Sequence, residues 1–511
     1  MAGPDGGEAA AVRFPTGAFR DGVASGDPLA DRVVIWTRVS GSDEAVEVRW
    51  TVASDPALRE EVASGTARAE PSADHTVHVD VGALSPSTTY WYGFHAFGVR
   101  SPVGRTRTLP DAPRRLRVGV ISCAKYSAGY FNAYARVADR EDLDLVLHLG
   151  DYIYEYGPEE RTPWAEMGRG VEPPRPCVTL ADYRARYEQC RRDPDVQRLH
   201  ARHPLIATLD DHEVCNDAWR DGAKSHDPET QGDWAARKAA GLRAWSEWLP
   251  LRIPDPGDEV RIHRSFSLGP LADLIVLDGR THRDEQRRGP AREDPARTLL
   301  GEPQLEWFLE ELERSRATWK VVANSVMIGQ VSTSYMPEEL GEPLSELGIL
   351  SDSDVGPAPD QWDGYPAERD RIFRRIRERG ITGVVFVSGD VHTAWAVELR
   401  RDSEGAEGPP LAVEFVTASV TSENLDEKSH LPPERAAHDV EREVRESNPH
   451  VRWVDLDRHG YFVLELTPEH ARADWWFVDE IHRPTAGEEL AASWVARAGE
   501  AGLGQAGEPA G

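Results

Sequence analysis

Cysteine is scarce in this chain. Four occur in 511 residues, Cys123, Cys177, Cys190 and Cys215, and no two have the CxxC spacing. A disulfide framework and a structural zinc ribbon are therefore excluded. Cys177 and Cys190 could pair in an oxidising compartment, but spacing alone does not decide it. Long apolar runs are also missing. No stretch approaches the roughly 18 consecutive apolar residues of a membrane-crossing helix, so no transmembrane segment is expected. The N-terminal Met1-Ala2-Gly3-Pro4-Asp5-Gly6-Gly7 has neither the basic nor the apolar region of a secretory leader. This reads as a cytoplasmic protein or as the mature form of a secreted one. Positive charge is short as well: 59 Lys and Arg face 88 Asp and Glu, a net charge of −29. Such a surface repels nucleic acid and anionic membrane. It also repels an anionic substrate at long range. A site for one must bring its own positive charge, and metal ions are the obvious source.

What is present is a packed globular composition. Hydrophobic residues make up 40%, with 16 Trp, 13 Tyr and 12 Phe, and the length calls for two or more domains. Residues 1–15 are small and polar and read as a disordered tail. From 16 to 110 the pattern is β. Val46-Glu47-Val48-Arg49-Trp50-Thr51-Val52 and Thr76-Val77-His78-Val79-Asp80-Val81 alternate apolar and polar residues. Leu84-Ser85-Pro86 followed by Tyr90-Trp91-Tyr92 is similar to the tyrosine corner of fibronectin- and immunoglobulin-like sandwiches. A small β-sandwich is expected there, closed by a linker at Pro110–Arg115.

From 115 to 485 the grammar changes to an α/β one. Short buried strands alternate with helix-patterned segments, which predicts a layered domain. Strands are expected at Leu116–Ile121, Asp144–Leu149, Leu205–Leu209, Asp273–Leu277, Trp319–Asn324, Thr382–Val387 and Val413–Thr417. Helices are expected at Thr179–Gln189, Asp233–Trp248, Pro303–Ser315 and Pro366–Glu378, the last stopped by Gly380. Gly460–Leu466 and Ala473–Val478 extend a sheet. Two long polar stretches, 155–178 and 330–363, have no periodicity. Residues 486–511 read as a helix fading into a flexible Ala/Gly tail. No internal repeat is apparent.

Four of these strands end in ligand-type residues. One runs into Ser122-Cys123, a second into Gly150-Asp151-Tyr152-Ile153-Tyr154, a third into Asp210-Asp211-His212-Glu213 and a fourth into Ser388-Gly389-Asp390-Val391-His392. Ligands bind beyond the carboxyl ends of strands in α/β sheets. Cys123 and Tyr154 ligate only after losing protons whose pKa values are normally about 8.5 and 10, which favours a highly charged ion such as Fe3+. Asp211 and Asp390 are hard oxygen donors suited to Ca2+, Mg2+ or Mn2+. Asp151 lies between and could bridge two metals. His148 precedes its strand tip and is expected inside the packed layer. Such a pair of metals would polarise a phosphoryl group and supply a hydroxide nucleophile near neutral pH.

The chain resembles the alkaline phosphatase D (PhoD-like) family of calcineurin-type metallophosphatases from about Phe19 to Val478. Gly22-Val23-Ala24-Ser25-Gly26-Asp27-Pro28, Val34-Ile35-Trp36-Thr37-Arg38, the four strand ends and Gln361-Trp362-Asp363-Gly364-Tyr365 carry the resemblance in order. It implies a two-sheet metallophosphatase core flanked by helices and preceded by a β-sandwich. It also implies ferric iron paired with calcium, with Mn2+, Mg2+ or Zn2+ as alternatives at the second site. Cys123, Asp151, Tyr154 and His392 would surround the iron, and Asp151, Asp211 and Asp390 would serve the calcium side. His212 falls where relatives place a histidine that binds phosphate or protonates the leaving oxygen. Orientation of a neighbouring ligand is the other role open to it.

The expected activity is hydrolysis of small phosphate esters, monoesters before diesters, by a monomer. The alternatives are a phosphodiesterase or phospholipase D on the same centre, or a non-catalytic surface-binding protein. Family members commonly carry a twin-arginine leader, of which this sequence shows no trace. Lys125 reads as a solvated lysine before a phosphate contact. Trp362–Tyr365 reads as a lid or as a turn seating the next helix. Asn216 and Asp217 read as caps before residues that reach substrate or a second calcium, and Arg280 and Arg283 as phosphate contacts or surface arginines. Cys215 is assigned to the core.

Overall fold

The structure is a computed structural model that describes residues 17–158, 167–252, 260–331, 359–400, 409–429, 435–500 and 502–507. The expected tail at 1–15 lies outside the described residues, as do 159–166 and 332–358 of the two long polar stretches.

Two large sheets form the centre. In one, ten strands follow the order Leu503–Gln505, Glu488–Arg497, His470–Val478, Gly460–Leu466, Leu116–Ile121, Leu145–His148, Pro204–Ala207, Val23–Gly26, Val33–Arg38 and Thr76–Val81. The other orders seven strands as Arg264–Leu268, Ala272–Val276, Trp319–Ala323, Val384–Ser388, Ala412–Val416, Ala394–Leu399 and Val451–Asp455. Leu116–Ile121, Leu145–His148 and Pro204–Ala207 are neighbours and parallel, so their carboxyl ends open on one edge.

Alternation explains the layering. Leu145 and Leu147 face a core shared with Val321, Val385, Val387 and Phe415 of the other sheet. Val146 faces the opposite way, toward the helix side with Tyr134 and Leu199. A strand buried on both faces has no polar side, which is why it reads as a continuous apolar run. Helices Asn132–Asp139, Leu180–Arg191, Pro194–Arg202 and Trp234–Trp248 cover one outer face; Glu302–Arg314 and Pro366–Arg379 cover the other. Each fully buried Leu or Val contributes roughly 1.5–3 kcal/mol relative to exposure. The helix limits follow local signals. Thr179 and Asp182 form a capping box, Asp233 caps Trp234–Trp248, and Gly380 ends Pro366–Arg379 with φ 61°.

The N-terminal sandwich is real but not separate. Val46–Ala53, Glu61–Ala69, Thr89–Ala96, Val99–Arg100 and Gly104–Arg107 form a sheet of their own. Its partner layer is the end of the ten-stranded sheet, with Val33, Ile35, Val77 and Val81 meeting Val48, Val52, Tyr90 and Tyr92. Val23–Gly26 pairs in parallel with Pro204–Ala207, and a Cβ on Gly26 would meet Leu205 O at 2.6 Å. Asp27 then pairs with Arg264 at 2.8 Å. The Gly26-Asp27-Pro28 motif is therefore a seam between the two units. The tyrosine corner is present: Ser85 N donates to Tyr90 OH at 2.9 Å. Trp36 Nε1 donates to Glu247 O at 2.9 Å, locking the same seam to helix Trp234–Trp248.

The expected C-terminal helix is corrected. Glu488–Arg497 is a strand antiparallel to His470–Val478, and Leu503–Gln505 pairs beyond it, so the central sheet continues past residue 485. The Glu/Ala composition favours a helix by less than the open edge of His470–Val478 gains by pairing.

Candidate metal centre

The four strand ends converge, but from two sheets. Cys123, Asp151 and Asp211 follow the three parallel strands of the ten-stranded sheet, while Asp390 and His392 follow Val384–Ser388 of the facing one. The chain must leave each strand sharply. Cys123, Asp151, Asp390 and His392 all have left-handed backbone, with φ of 59°, 57°, 67° and 58°. That conformation is costly for residues with a side chain and persists where surroundings fix it. Gly150 (φ 106°) has no room for a side chain: a Cβ would lie 2.4 Å from Asp210 N. Gly150→Ala is expected to cost roughly 2–4 kcal/mol in stability, through strained φ and backbone displacement; a melting temperature unchanged from wild type would refute this.

One atom from each of Cys123, Asp151 and His392 lies within 4.8 Å of the others. The same holds for Asp151, Asp211 and His212, and for Asp151, Asp210, Asp211 and Asp390. Asp151 is common to all three groups. Asp390 falls on the carboxylate side. Tyr154 OH lies 2.8 Å from Asp151 Oδ2 and 3.2 Å from His392 Nε2, which places the phenol on the cysteine–histidine side.

The electrostatics fit a cation. Burial pushes the Asp151, Asp211 and Asp390 carboxyls up, and Asp210 adds to it at each. Burial, with Asp151 beside them, likewise pushes the Cys123 thiol and Tyr154 phenol up. None of these groups ionises readily without a compensating positive charge. Asp210 Oδ2 and Asp211 Oδ1 are buried without a hydrogen-bond partner, as ligand atoms would be. His392 is suited to ligation as well. Its Nδ1 must donate to the Glu423 carbonyl, 2.8 Å away, and burial lowers its pKa to about 3, which leaves a lone pair on Nε2.

The protein supplies positive charge of its own as well. Buried Arg280 bonds Asp210 through Nε, Asp360 at 2.8 Å and Asp390 at 2.9 Å. Gln361 bonds the second oxygen of Asp390. Against burial, Arg280 and Arg283 hold Asp360 well below the usual carboxylate range. His212 Nδ1 lies 2.7 Å from Glu155 Oε2. Against burial, Asp211, Asp151 and Glu155 push the His212 imidazole well above its ordinary value. Glu213 accepts from the backbone N–H of Asp151, Tyr152 and Asp210 at 3.1, 2.6 and 2.7 Å, tying two strand tips together.

Several readings change. Lys125 is buried, not solvated, and pairs with Glu423 at 2.8 Å. Arg280 and Arg283 are buried and bound to carboxylates rather than lying on the surface. Trp362–Tyr365 is a seated 3-10 turn, with Trp362 N donating to Met327 O at 3.2 Å; it is the preceding Gln361 that reaches the site. Cys215 is in an apolar cluster, and all four cysteines are free. His148 is buried and bonds Tyr134 OH at 2.8 Å, away from the site.

A family model described as PhoD-like phosphatase matches residues 118–475, and one described as PhoD-like phosphatase, N-terminal domain, matches 6–110. The chain belongs to the PhoD-like phosphatase family. This PhoD-like chain is accordingly a phosphoric ester hydrolase. Alkaline phosphatase D of Bacillus subtilis (strain 168) is 36% identical over 519 residues, covering 97% of this chain and 83% of that protein. The solved structure of PhoD matches with a TM-score of 0.86 at 34% identity, covering 98% of this chain and 94% of that one. Among the described residues, no helix is long and apolar enough to cross a membrane.

Proposed function

We propose that this PhoD-like chain is a phosphomonoesterase working through an Fe3+/Ca2+ pair. Cys123, Asp151, Tyr154 and His392 would hold the iron, and Asp151, Asp211 and Asp390 the calcium, with Asp210 beside them. The observation that supports this best is the sharing of Asp151 by three groups of potential ligands. A thiol, a phenol and the His392 imidazole lie to one side of it, and the carboxylates of Asp210, Asp211 and Asp390, with His212 beside Asp211, lie to the other, a division that suits two ions of different hardness. When bound, two such cations polarise phosphoryl oxygens and lower the pKa of coordinated water.

The chain's own residues do the rest. Arg280 keeps Asp210 and Asp390 apart from one another's charge and fixed in direction. Glu155 binds His212 at Nδ1, which leaves Nε2–H free to donate a proton to the departing alkoxide. The buried setting excludes bulk water and strengthens each of these interactions.

Purified native protein is expected to contain iron and to absorb broadly in the visible through phenolate-to-iron charge transfer. It is expected to hydrolyse p-nitrophenyl phosphate with a higher kcat/KM than bis-p-nitrophenyl phosphate. A higher value for the diester moves the assignment to a phosphodiesterase. Active protein free of iron contradicts the ferric side.

A further inference from the structure

One short segment holds the cysteine side of the centre together. Ser419 to Asn424 follows strand Ala412–Val416 and runs past three of the candidate ligands, each supplied by a different strand end. Thr421 N and Ser422 N donate to the Cys123 carbonyl at 3.3 and 3.2 Å. The Ser422 hydroxyl sits between that carbonyl, at 2.9 Å, and Tyr154 OH, at 2.6 Å. The Glu423 carbonyl receives His392 Nδ1 at 2.8 Å. The orientation of Cys123, Tyr154 and His392 therefore depends on where this segment lies.

The segment is held from behind by a partly buried charged pair. Ser419 Oγ lies 2.6 Å from the Ser422 carbonyl and 2.9 Å from His459 Nδ1. A carbonyl only accepts, so the Ser419 proton goes to Ser422 O and His459 Nδ1–H must donate to Ser419 Oγ. On the far side of the ring, His459 Nε2 faces Glu427 Oε2 at 3.2 Å. Glu427 is itself fixed by Asn424 N at 3.2 Å and by His482, 3.6 Å away. Against burial, Glu427 raises the pKa of His459. Gly460 N donates to the Ser419 carbonyl at 3.0 Å, so the adjacent residues His459 and Gly460 hold the hydroxyl and the carbonyl of Ser419.

We propose that the partly buried His459–Glu427 pair is the positioning device of the iron side, acting through Ser419 Oγ on the segment that carries Ser422 and Glu423. The proposal rests on the assignment of Cys123, Tyr154 and His392 as iron ligands. None of His459, Glu427 or Ser419 is a ligand; they act only through the chain that orients the ligands. Groups bonded directly to metal ligands typically govern about 10- to 100-fold in metal affinity or activity; Ser422 and Glu423 hold that position here, and Ser419 and His459 act one step behind them.

The chemistry sets up an asymmetry that a merely structural role lacks. Asparagine places its amide N–H about where Nδ1–H was, and glutamine places its own about where Nε2–H was. His459→Asn keeps the donor to Ser419; His459→Gln keeps the contact to Glu427 and loses that donor. Holo protein is challenged with a chelator, and iron release, the visible band and kcat/KM on p-nitrophenyl phosphate are followed, with melting temperatures as a control on folding. His459→Gln and Ser419→Ala are expected to release iron up to about 10-fold faster and to shift the band, while His459→Asn, which keeps the donor to Ser419 and gives up only the Glu427 contact, is expected to lose distinctly less. Cys123→Ser is the reference. If it retains iron as wild type does, the ligand assignment falls and the proposal falls with it. If Cys123→Ser loses iron while His459→Gln and Ser419→Ala keep it, the positioning role alone is overturned. Equal losses in His459→Asn and His459→Gln also overturn it, because the path through Ser419 would then carry no information.

Discussion

Asp151→Asn is expected to abolish most turnover, lowering kcat/KM by at least about a thousandfold, equivalent to roughly 4 kcal/mol of transition-state stabilisation. Asparagine preserves shape and can keep a contact with His212 N, which lies 3.3 Å from Asp151 Oδ1. It removes the negative charge that three groups of potential ligands share. Loss is therefore expected on both sides: iron content and the second cation should fall together. Asp211→Asn and Cys123→Ser should each deplete one side more than the other. Steady-state kinetics with metal analysis on the three variants checks this. An Asp151→Asn enzyme that keeps full activity without metal would remove the basis of the mechanism.

Glu213→Leu is expected to be the most damaging change outside the ligand set. The carboxylate accepts three backbone N–H groups from two different strand tips, at Asp151, Tyr152 and Asp210, and is fully buried. Leucine fills similar volume and accepts none. Leaving a buried donor unpaired costs about 1–3 kcal/mol, and relaxation recovers part of the sum, so a loss of roughly 3–5 kcal/mol is expected. Glu213→Gln retains one accepting oxygen and should lose less. Thermal unfolding ranks the three proteins. A leucine variant as stable as wild type would show that these N–H groups find other partners.

Most of the site was legible because strand tips in an α/β fold are read from two local signals, a short apolar run and the residues that end it. Cys123, Asp151, Tyr154, Asp211, Asp390 and His392 all came from that rule, and the structure brings them together. The rule does not say which sheet a strand joins. Val384–Ser388 lies in the facing sheet, so the centre sits at the junction of two sheets rather than along one edge. Asp210 went unassigned because two adjacent acids give no sign of which points inward; in fact both face the cluster. Ser419–Asn424 also follows a strand, but it works chiefly through carbonyls, amides and one hydroxyl, which leave no mark in a pattern search. Lys125 misled because a lysine after a cysteine is normally hydrated; its partner Glu423 is 298 residues away. The C-terminal strand was hidden by helix-forming composition, since the edge that recruits it is visible only once His470–Val478 is in place.

The central claim is that Asp151 lies between two different metal ions. Anomalous diffraction from crystals of native protein, recorded on both sides of the iron absorption edge, tests it most directly. Two peaks flanking the Asp151 carboxylate are predicted, and only the one beside Cys123 and Tyr154 should change strongly across the iron edge. A single peak, or two peaks that both fail to respond at that edge, would contradict the account.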